Sequence, residues 1–361
     1  TVYANIARGN TNKKMLERIK EWSASPWTTD NFPQFGLSTY NYHSDGSGIS
    51  SSSRRRPILT MRSNVISYPG VPGSGCRHFP ADSHLWYWLT TKGYEFDVIT
   101  DDELHKYGLA AIEKYSVLLT CSHPEYHTPQ SLNALQEYTN TGGHLMYLGG
   151  NGFYWKVAVS DVWPDAVEIR RGEGGIRAWA SEPGEYYNAF DGEYGGLWRR
   201  NGRAPQVLAG VGFTSQGDHY GAPYRRTPES YSNEWAWVFE GITEEIIGDF
   251  GLSGGGAAGF ELDRADTMLG TPLNAVTLAS SEGHDESFVL VPEDILTHHD
   301  TWPHKPIKEL IRADIVYFET AKGGGVFSVG SITFCGSLPH NNCENNISKM
   351  VENVIRKFLS N

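Results

Sequence analysis

The chain has 361 residues, 39% hydrophobic and 20% charged, with a formal net charge of −12. That balance supports a large buried core and excludes a disordered chain. The acidic excess argues against a nucleic-acid partner, because phosphate backbones require clustered Lys and Arg and the one basic run is Arg54, Arg55 and Arg56.

No stretch of about 18 apolar residues occurs, and the start shows neither the charged end nor the apolar run of a signal peptide, so no membrane span is expected. Cys76, Cys121, Cys335 and Cys343 have no C-x-x-C spacing; they read as free thiols of a reducing cytoplasm. The first residue is Thr1, on an apolar and aromatic segment, which suggests a piece of a longer protein. The length suits one elaborated domain.

In chain order, the clearest periodicity lies between residues 79 and 148. It predicts a helix over 81–91 ended by Gly93, a strand over 95–99, a helical turn over 101–107 and an apolar strand over 116–120. A loop over 121–128 then leads to an amphipathic helix over 129–139 and a strand over 144–148. Repeated strand-helix-strand order predicts an α/β fold with a parallel sheet flanked by helices.

Residues 154–253 read as a long insertion rich in loops, short strands, Gly, Trp and Tyr, leaving a core of about 1–153 and 254–361. Later strands are expected over 258–262, 276–279, 287–291, 314–319 and 325–334, and a closing helix over 345–359 with Ile347, Met350, Val351, Val354, Ile355 and Phe358 on one face.

Ligands of open α/β sheets gather beyond the carboxyl ends of the strands. There the sequence places Cys121, Ser122, His123, Pro124, Glu125, Tyr126 and His127 after one strand, and Gly149, Gly150 and Asn151 after the next. A solvated His123–Glu125 surface pair is the plain alternative for the first loop.

A second candidate crowds Tyr40, Tyr42, His43 and Asp45 into a turn-forming stretch. A third, from Gly254 through Gly259 to Glu261, Asp263 and Arg264, lacks the Lys and Ser or Thr of a phosphate cradle. Glu261 therefore reads as a candidate base, with Asp263 and Arg264 as a structural ion pair. Cys121, at a strand end near His123, would be the nucleophile of a thiol amidase, although Pro124 and bulky neighbours do not make a nucleophile elbow.

These three segments, with Thr1, Val2, Tyr3, Ala4 and Asn5 at the start, the Gly195–Arg203 run and the stretch from Gly324 to Ile332, together resemble the large (beta) subunits of N,N-dimethylformamidase. The match is ordered and nearly end to end, and since the family's large subunit also has an amino-terminal lectin-like part, the resemblance implies that this sequence corresponds to the carboxy-terminal half.

The resemblance implies a class I glutamine amidotransferase-like, flavodoxin-like fold, and hydrolysis of small N-substituted formamides such as N,N-dimethylformamide to formate and dimethylamine. It further implies a mononuclear iron, ferric in keeping with hard oxygen donors, held by two tyrosines and a glutamate. By position these are Tyr3, Tyr40 and Glu125, with Tyr42 an alternative to Tyr40. Glu261 would then be the general base, His123 its partner in proton transfer and Asn151 the oxyanion donor. A small partner subunit and self-association also follow from the resemblance. A binding module for sugars, built on the 11 Trp and 19 Tyr, is the reading from another class.

Overall fold

In the computed structural model, residues 2, 13–27, 31–66, 75, 77–172, 178–294 and 306–360 are described. The helices that matter for the site are α1 (Lys13–Glu21), α2 (His78–Thr91), α3 (Asp101–Tyr107), α4 (Pro129–Asn140) and the closing helix Asn346–Leu359.

The strands are β1 (Ser51–Ser53), β2 (Val117–Leu119), β3 (Tyr126–His127), β4 (His144–Tyr147), β5 (Trp155–Val159), β6 (Ala166–Ile169) and β7 (Gly212–Ala222). They continue with β8 (Tyr224–Arg226), β9 (Ile246–Ile247), β10 (Ala258–Arg264), β11 (Val276–Ser281), β12 (Val289–Leu290), β13 (Asp314–Glu319) and β14 (Gly325–Ser328).

Helix starts follow their caps. The Thr100 hydroxyl accepts the Glu103 amide at 3.3 Å while the Glu103 carboxylate accepts the Thr100 amide at 2.7 Å, opening α3. Thr128 and Ser131 exchange the same pair of bonds at 3.2 and 3.1 Å before α4, where Pro129 needs no donor. Asn345 caps the closing helix by accepting the Ser348 amide at 2.8 Å.

The central sheet runs β2-β4-β14-β13-β11-β8-β9. Strand alternation drives its burial on both faces. Along β4, Leu145 and Tyr147 face Leu132, Leu135 and Tyr138 of α4, whereas Met146 and Leu148 join Leu85, Trp88 and Leu89 of α2 and Ile347, Met350, Val351 and Val354 of the closing helix. Along β13, Val316 and Phe318 take the α4 side, and Ile315 and Tyr317 the other. The result is helix, sheet, helix.

The sheet is mixed rather than parallel. β2, β4 and β14 pair in parallel, but β13 joins β14, β11 joins β13, and β8 joins both β11 and β9 antiparallel. Among the described residues α4 makes the crossover between the parallel strands β2 and β4, whereas β13 and β14 are joined by a tight turn in which Thr320 N donates to Gly324 O at 2.8 Å, and a turn that short can only reverse the chain.

The expected strand over 95–99 is also absent. That segment lies beside β2 across a cavity of about 320 Å³ lined by Tyr94, Phe96, Val98, Leu119 and Cys121, which separates the two backbones, and the Tyr115 hydroxyl donates to the Asp97 carboxylate there. The strand expected over 325–334 stops at Ser328 because Gly330 turns into a left-handed conformation, φ 64°.

Residues 154–253 are interleaved with the rest. β5 and β6 form a four-stranded sheet with β1 and β3, β7 pairs with β10 and β12, and β8 and β9 extend the central sheet. Among the described residues Cys121, Cys335 and Cys343 are free thiols, and no helix is long and apolar enough to cross a membrane; Cys76 lies outside the described residues.

Candidate active site

The loop after β2 is held from three sides. Asp82 of α2 accepts both the amide and the hydroxyl of Ser122, at 3.0 and 2.6 Å. The Ser122 carbonyl accepts Gly150 N at 3.1 Å, and the Glu125 carbonyl accepts the amides of Tyr154 and Trp155, each at 3.0 Å. Gly149 and Gly150 make this possible: a Cβ at 149 would sit 2.4 Å from the Ser122 oxygen, and one at 150 would sit 2.6 Å from the Ile332 nitrogen. The turn after β4 is thus wedged between the β2 loop and the segment after β14.

Into this frame project His123, Glu125, Asn151 and Glu261, all buried. His123 Nε2 lies 3.1 Å from Glu125 Oε2 and 3.0 Å from Glu261 Oε2, so one imidazole nitrogen bridges two carboxylates. Burial is the largest influence on His123 and opposes its charge, but the combined pull of Glu261 and Glu125 raises its pKa above the ordinary value, favouring imidazolium.

Asn151 Nδ2 donates to Glu125 Oε1 at 3.2 Å, while Asn151 Oδ1 has no hydrogen-bond partner among the described residues. Asn151 itself is left-handed, φ 51°. The four residues that the sequence analysis set together in this second group and the metal set therefore do meet in space.

Glu261 reaches His123 because β10 is irregular. Its register against β7 slips between Gly259 and Glu261, and Phe260 between them has φ 61°, rare for an aromatic residue. The Arg77 guanidinium lies 4.8 Å over the Phe260 ring. The bulge turns the Glu261 carboxylate out of the ladder toward the β2 loop.

Asp263 and Arg264 do not pair with one another, since successive strand residues face opposite sides. Arg264 meets Asp266 at 3.0 Å and Asp294 at 3.4 Å. Asp263 accepts the Asn151 amide at 2.8 Å and the Tyr147 hydroxyl at 2.7 Å, and Tyr147 in turn accepts Gly152 N at 2.7 Å. Asp263 is thus the group that pins Asn151.

Burial raises the Asp263 pKa from 3.8 to about 7, against hydrogen bonds from Tyr147 and Asn151 that lower it. A carboxyl whose folded pKa is raised weakens the fold as it ionises, so its cost begins above the unfolded value and is complete past about 7. The unfolding free energy from urea titrations should fall with rising pH across that window by an amount on the order of 2–4 kcal/mol. Asp263→Asn should flatten the slope, and an unchanged slope would contradict this account.

Tyr40 stands at the edge of the cluster. Its hydroxyl meets that of Tyr126, the neighbour of Glu125, in a short hydrogen bond, and the Arg171 guanidinium lies 4.1 Å over its ring. The backbone on either side of Tyr40 is anchored: Ser38 Oγ, Thr39 Oγ1 and Thr39 N all donate to the Val2 carbonyl, at 3.2, 3.0 and 3.3 Å, and Trp179 Nε1 donates to Thr39 O at 2.7 Å.

A turn at Thr39 and Tyr40 separates Tyr40 from Tyr42, which is 51% exposed and donates to the Ala178 carbonyl at 2.5 Å. Of the two alternatives, Tyr40 is the phenol brought to Glu125's neighbour. Tyr3 lies outside the described residues.

Among the described residues no three His, Cys, Asp or Glu side chains are arranged to hold a metal ion, so a cation here would depend on phenol oxygens. Tyr40, Tyr126 and Glu125 supply hard oxygen donors beside one another, a set that fits a hard cation such as ferric iron.

Cys121 is placed differently. Its thiol lines the cavity beside β2, and burial, with Asp82 and Cys335 nearby, pushes its pKa well above the ordinary thiol value. A thiol kept protonated in apolar surroundings is a poor nucleophile. Cys121→Ala should keep full amide turnover in a steady-state assay; a loss of turnover with unchanged folding and metal content would restore the thiol mechanism.

An α/β chain with a buried carboxylate–imidazole–carboxylate cluster at the carboxyl ends of its parallel strands has the architecture of a small-molecule site. By sequence, the chain belongs to the N,N-dimethylformamidase beta subunit-like, C-terminal family, whose model matches residues 2–345. It is 42% identical over 334 residues to an N,N-dimethylformamidase beta subunit of Paracoccus aminophilus, covering 91% of this chain and 42% of that protein.

The N,N-dimethylformamidase beta subunit of an Alcaligenes species matches to the same extent, 42% identity with 91% of this chain covered. The chain spans about two-fifths of the length of these relatives, 42% in each case. Among solved structures, a cytoplasmic protein from Salmonella typhimurium aligns over 77% of this chain and 86% of its own length at 11% identity and a TM-score of 0.38.

Proposed function

We propose that this chain carries the hydrolytic centre of an iron-dependent amidohydrolase for small N-substituted formamides, N,N-dimethylformamide among them, releasing formate and dimethylamine. The observation that carries the reading is the bridge of His123 Nε2 between Glu125 and Glu261, at 3.1 and 3.0 Å, in a chain 42% identical to N,N-dimethylformamidase beta subunits.

Amide hydrolysis needs a proton taken from water as its oxygen attacks the carbonyl carbon, and a proton given to the amine as the C–N bond breaks. In this reading Glu261 takes the first, His123 shares it and passes it on, and the leaving amine receives it. Asn151 Nδ2 has two hydrogens, one of them on Glu125; the second is the donor for the developing oxyanion.

Tyr40 and Glu125, with Tyr3, are the residues that would hold the iron. Iron when bound supplies a Lewis acid that polarises the amide carbonyl. The scaffold is read as a variant of the class I glutamine amidotransferase fold, supported by the parallel β2-β4-β14 core between helices. A small partner subunit and self-association belong to the same reading, supported by the beta-subunit names of the relatives.

The test is direct. Protein purified with iron supplied is assayed for dimethylamine release from N,N-dimethylformamide, alone and with the small subunit of a relative added. Release that depends on iron supports the proposal. Iron-replete protein that hydrolyses no formamide under either condition overturns it.

A further inference from the structure

Arg171 is buried to 1% exposure, just beyond the end of β6, where no motif announces it. Its backbone is fixed: the Arg171 carbonyl accepts Ser181 N at 2.6 Å, and that of Arg170 accepts Gly196 N at 2.9 Å. The guanidinium sits in a box of three aromatic faces, 4.1 Å from the centre of the Tyr40 ring, 5.0 Å from Trp155 and 5.8 Å from Trp179.

It shares a hydrogen bond with Tyr126, whereas Nε and Nη2 have no hydrogen-bond partner among the described residues. A guanidinium remains charged in a protein, and a buried charge requires compensation. Aromatic faces provide part of it. Around Arg171 stand Tyr40 and Glu125, two of the residues that would hold the iron, and Tyr126, whose hydroxyl meets that of Tyr40.

We infer that Arg171 is a positioning residue for those donors: stacked on the Tyr40 ring and bonded to Tyr126, it fixes the two phenols together, and its positive charge sets how strongly the Tyr40 oxygen gives electrons to a bound cation. This rests on the iron reading above. A fixed cation over an aromatic ring lowers the energy of that ring's electrons. Removing it makes the phenol a better electron donor to ferric iron, so a phenolate-to-iron absorption band moves to longer wavelength. Removing it also frees the two rings, so iron is held less tightly.

The experiment compares iron-loaded wild type with Arg171→Met, Arg171→Gln and Arg171→Lys, reading the band maximum at full loading and iron loss to a competing chelator. Both neutral variants should show the shift to longer wavelength and about tenfold weaker iron retention, and Arg171→Lys, which keeps the charge, should return the maximum toward the wild-type position. Arg171→Gln, which can keep the bond to Tyr126, decides the matter where Arg171→Met does not fold.

A neutral variant whose band maximum equals that of the wild type at full loading overturns the inference while leaving the iron site standing. A wild type that takes up iron without any such band overturns the iron reading and this inference with it.

Discussion

On the proposed mechanism, Glu261→Gln should lower formamide turnover by about 100- to 10,000-fold while leaving folding and iron content unchanged. Glutamine fills the same volume but cannot take a proton, so the substitution removes the proposed base and little else. Glu261 is only 5% exposed and its Oε2 is 3.0 Å from His123 Nε2. The effect belongs to kcat, because the proton is taken in the transition state rather than on binding.

Dimethylamine release under saturating substrate, with iron measured on the same samples, separates the outcomes. Unimpaired turnover removes Glu261 from the reaction. Lost turnover with lost iron makes it part of the metal site instead.

The second large effect concerns the paired phenols. Tyr40→Phe should lose most bound iron or its phenolate band, whereas Tyr42→Phe should keep both. Only the Tyr40 hydroxyl meets Tyr126, beside Glu125; that of Tyr42 is spent on the Ala178 carbonyl at 2.5 Å at the surface. Removing one of the three proposed ligands would cost a hard cation one of its few anionic donors, whereas removing an exposed hydroxyl costs at most one surface hydrogen bond of about 1 kcal/mol. Iron stoichiometry and the visible spectrum read both variants. The reverse pattern would mean that the turn at Thr39 and Tyr40 presents the wrong ring.

Much of this site is legible in the sequence because its residues follow strands whose burial is written in their alternation. Leu145, Met146, Tyr147 and Leu148 are apolar on both faces, which marks β4 as central and places Gly149, Gly150 and Asn151 at its carboxyl end. The same logic puts His123 and Glu125 after β2.

What could not be read depends on contacts distant in sequence. Arg171 stands 131 positions from Tyr40 among glycines and other arginines, and nothing local distinguishes a buried guanidinium from a surface one. Asp263 was expected to pair with Arg264, because adjacent opposite charges suggest a pair; the strand pleat sends them to opposite faces. The alternation over 95–99 is genuine, with Phe96 and Val98 apolar, but periodicity describes which side a residue faces and not whether a neighbouring strand edge is engaged.

The antiparallel half of the sheet was missed for a related reason. Apolar runs such as 314–319 look alike in either direction, and only the short turn from Glu319 to Gly325 dictates the reversal.

The tight seating of Gly149 and Gly150 between the Ser122 carbonyl and the Ile332 amide bears on how the proposed centre would fail when heated. Many sites sit on loops that melt before the body does, so activity fades while the protein is still folded. Here the turn bearing Asn151 can move away only if β4 separates from the β2 loop and from the chain after β14, which amounts to opening the sheet. On the proposed function, thermal inactivation and global melting should then coincide, leaving a folded but idle intermediate no temperature range in which to accumulate.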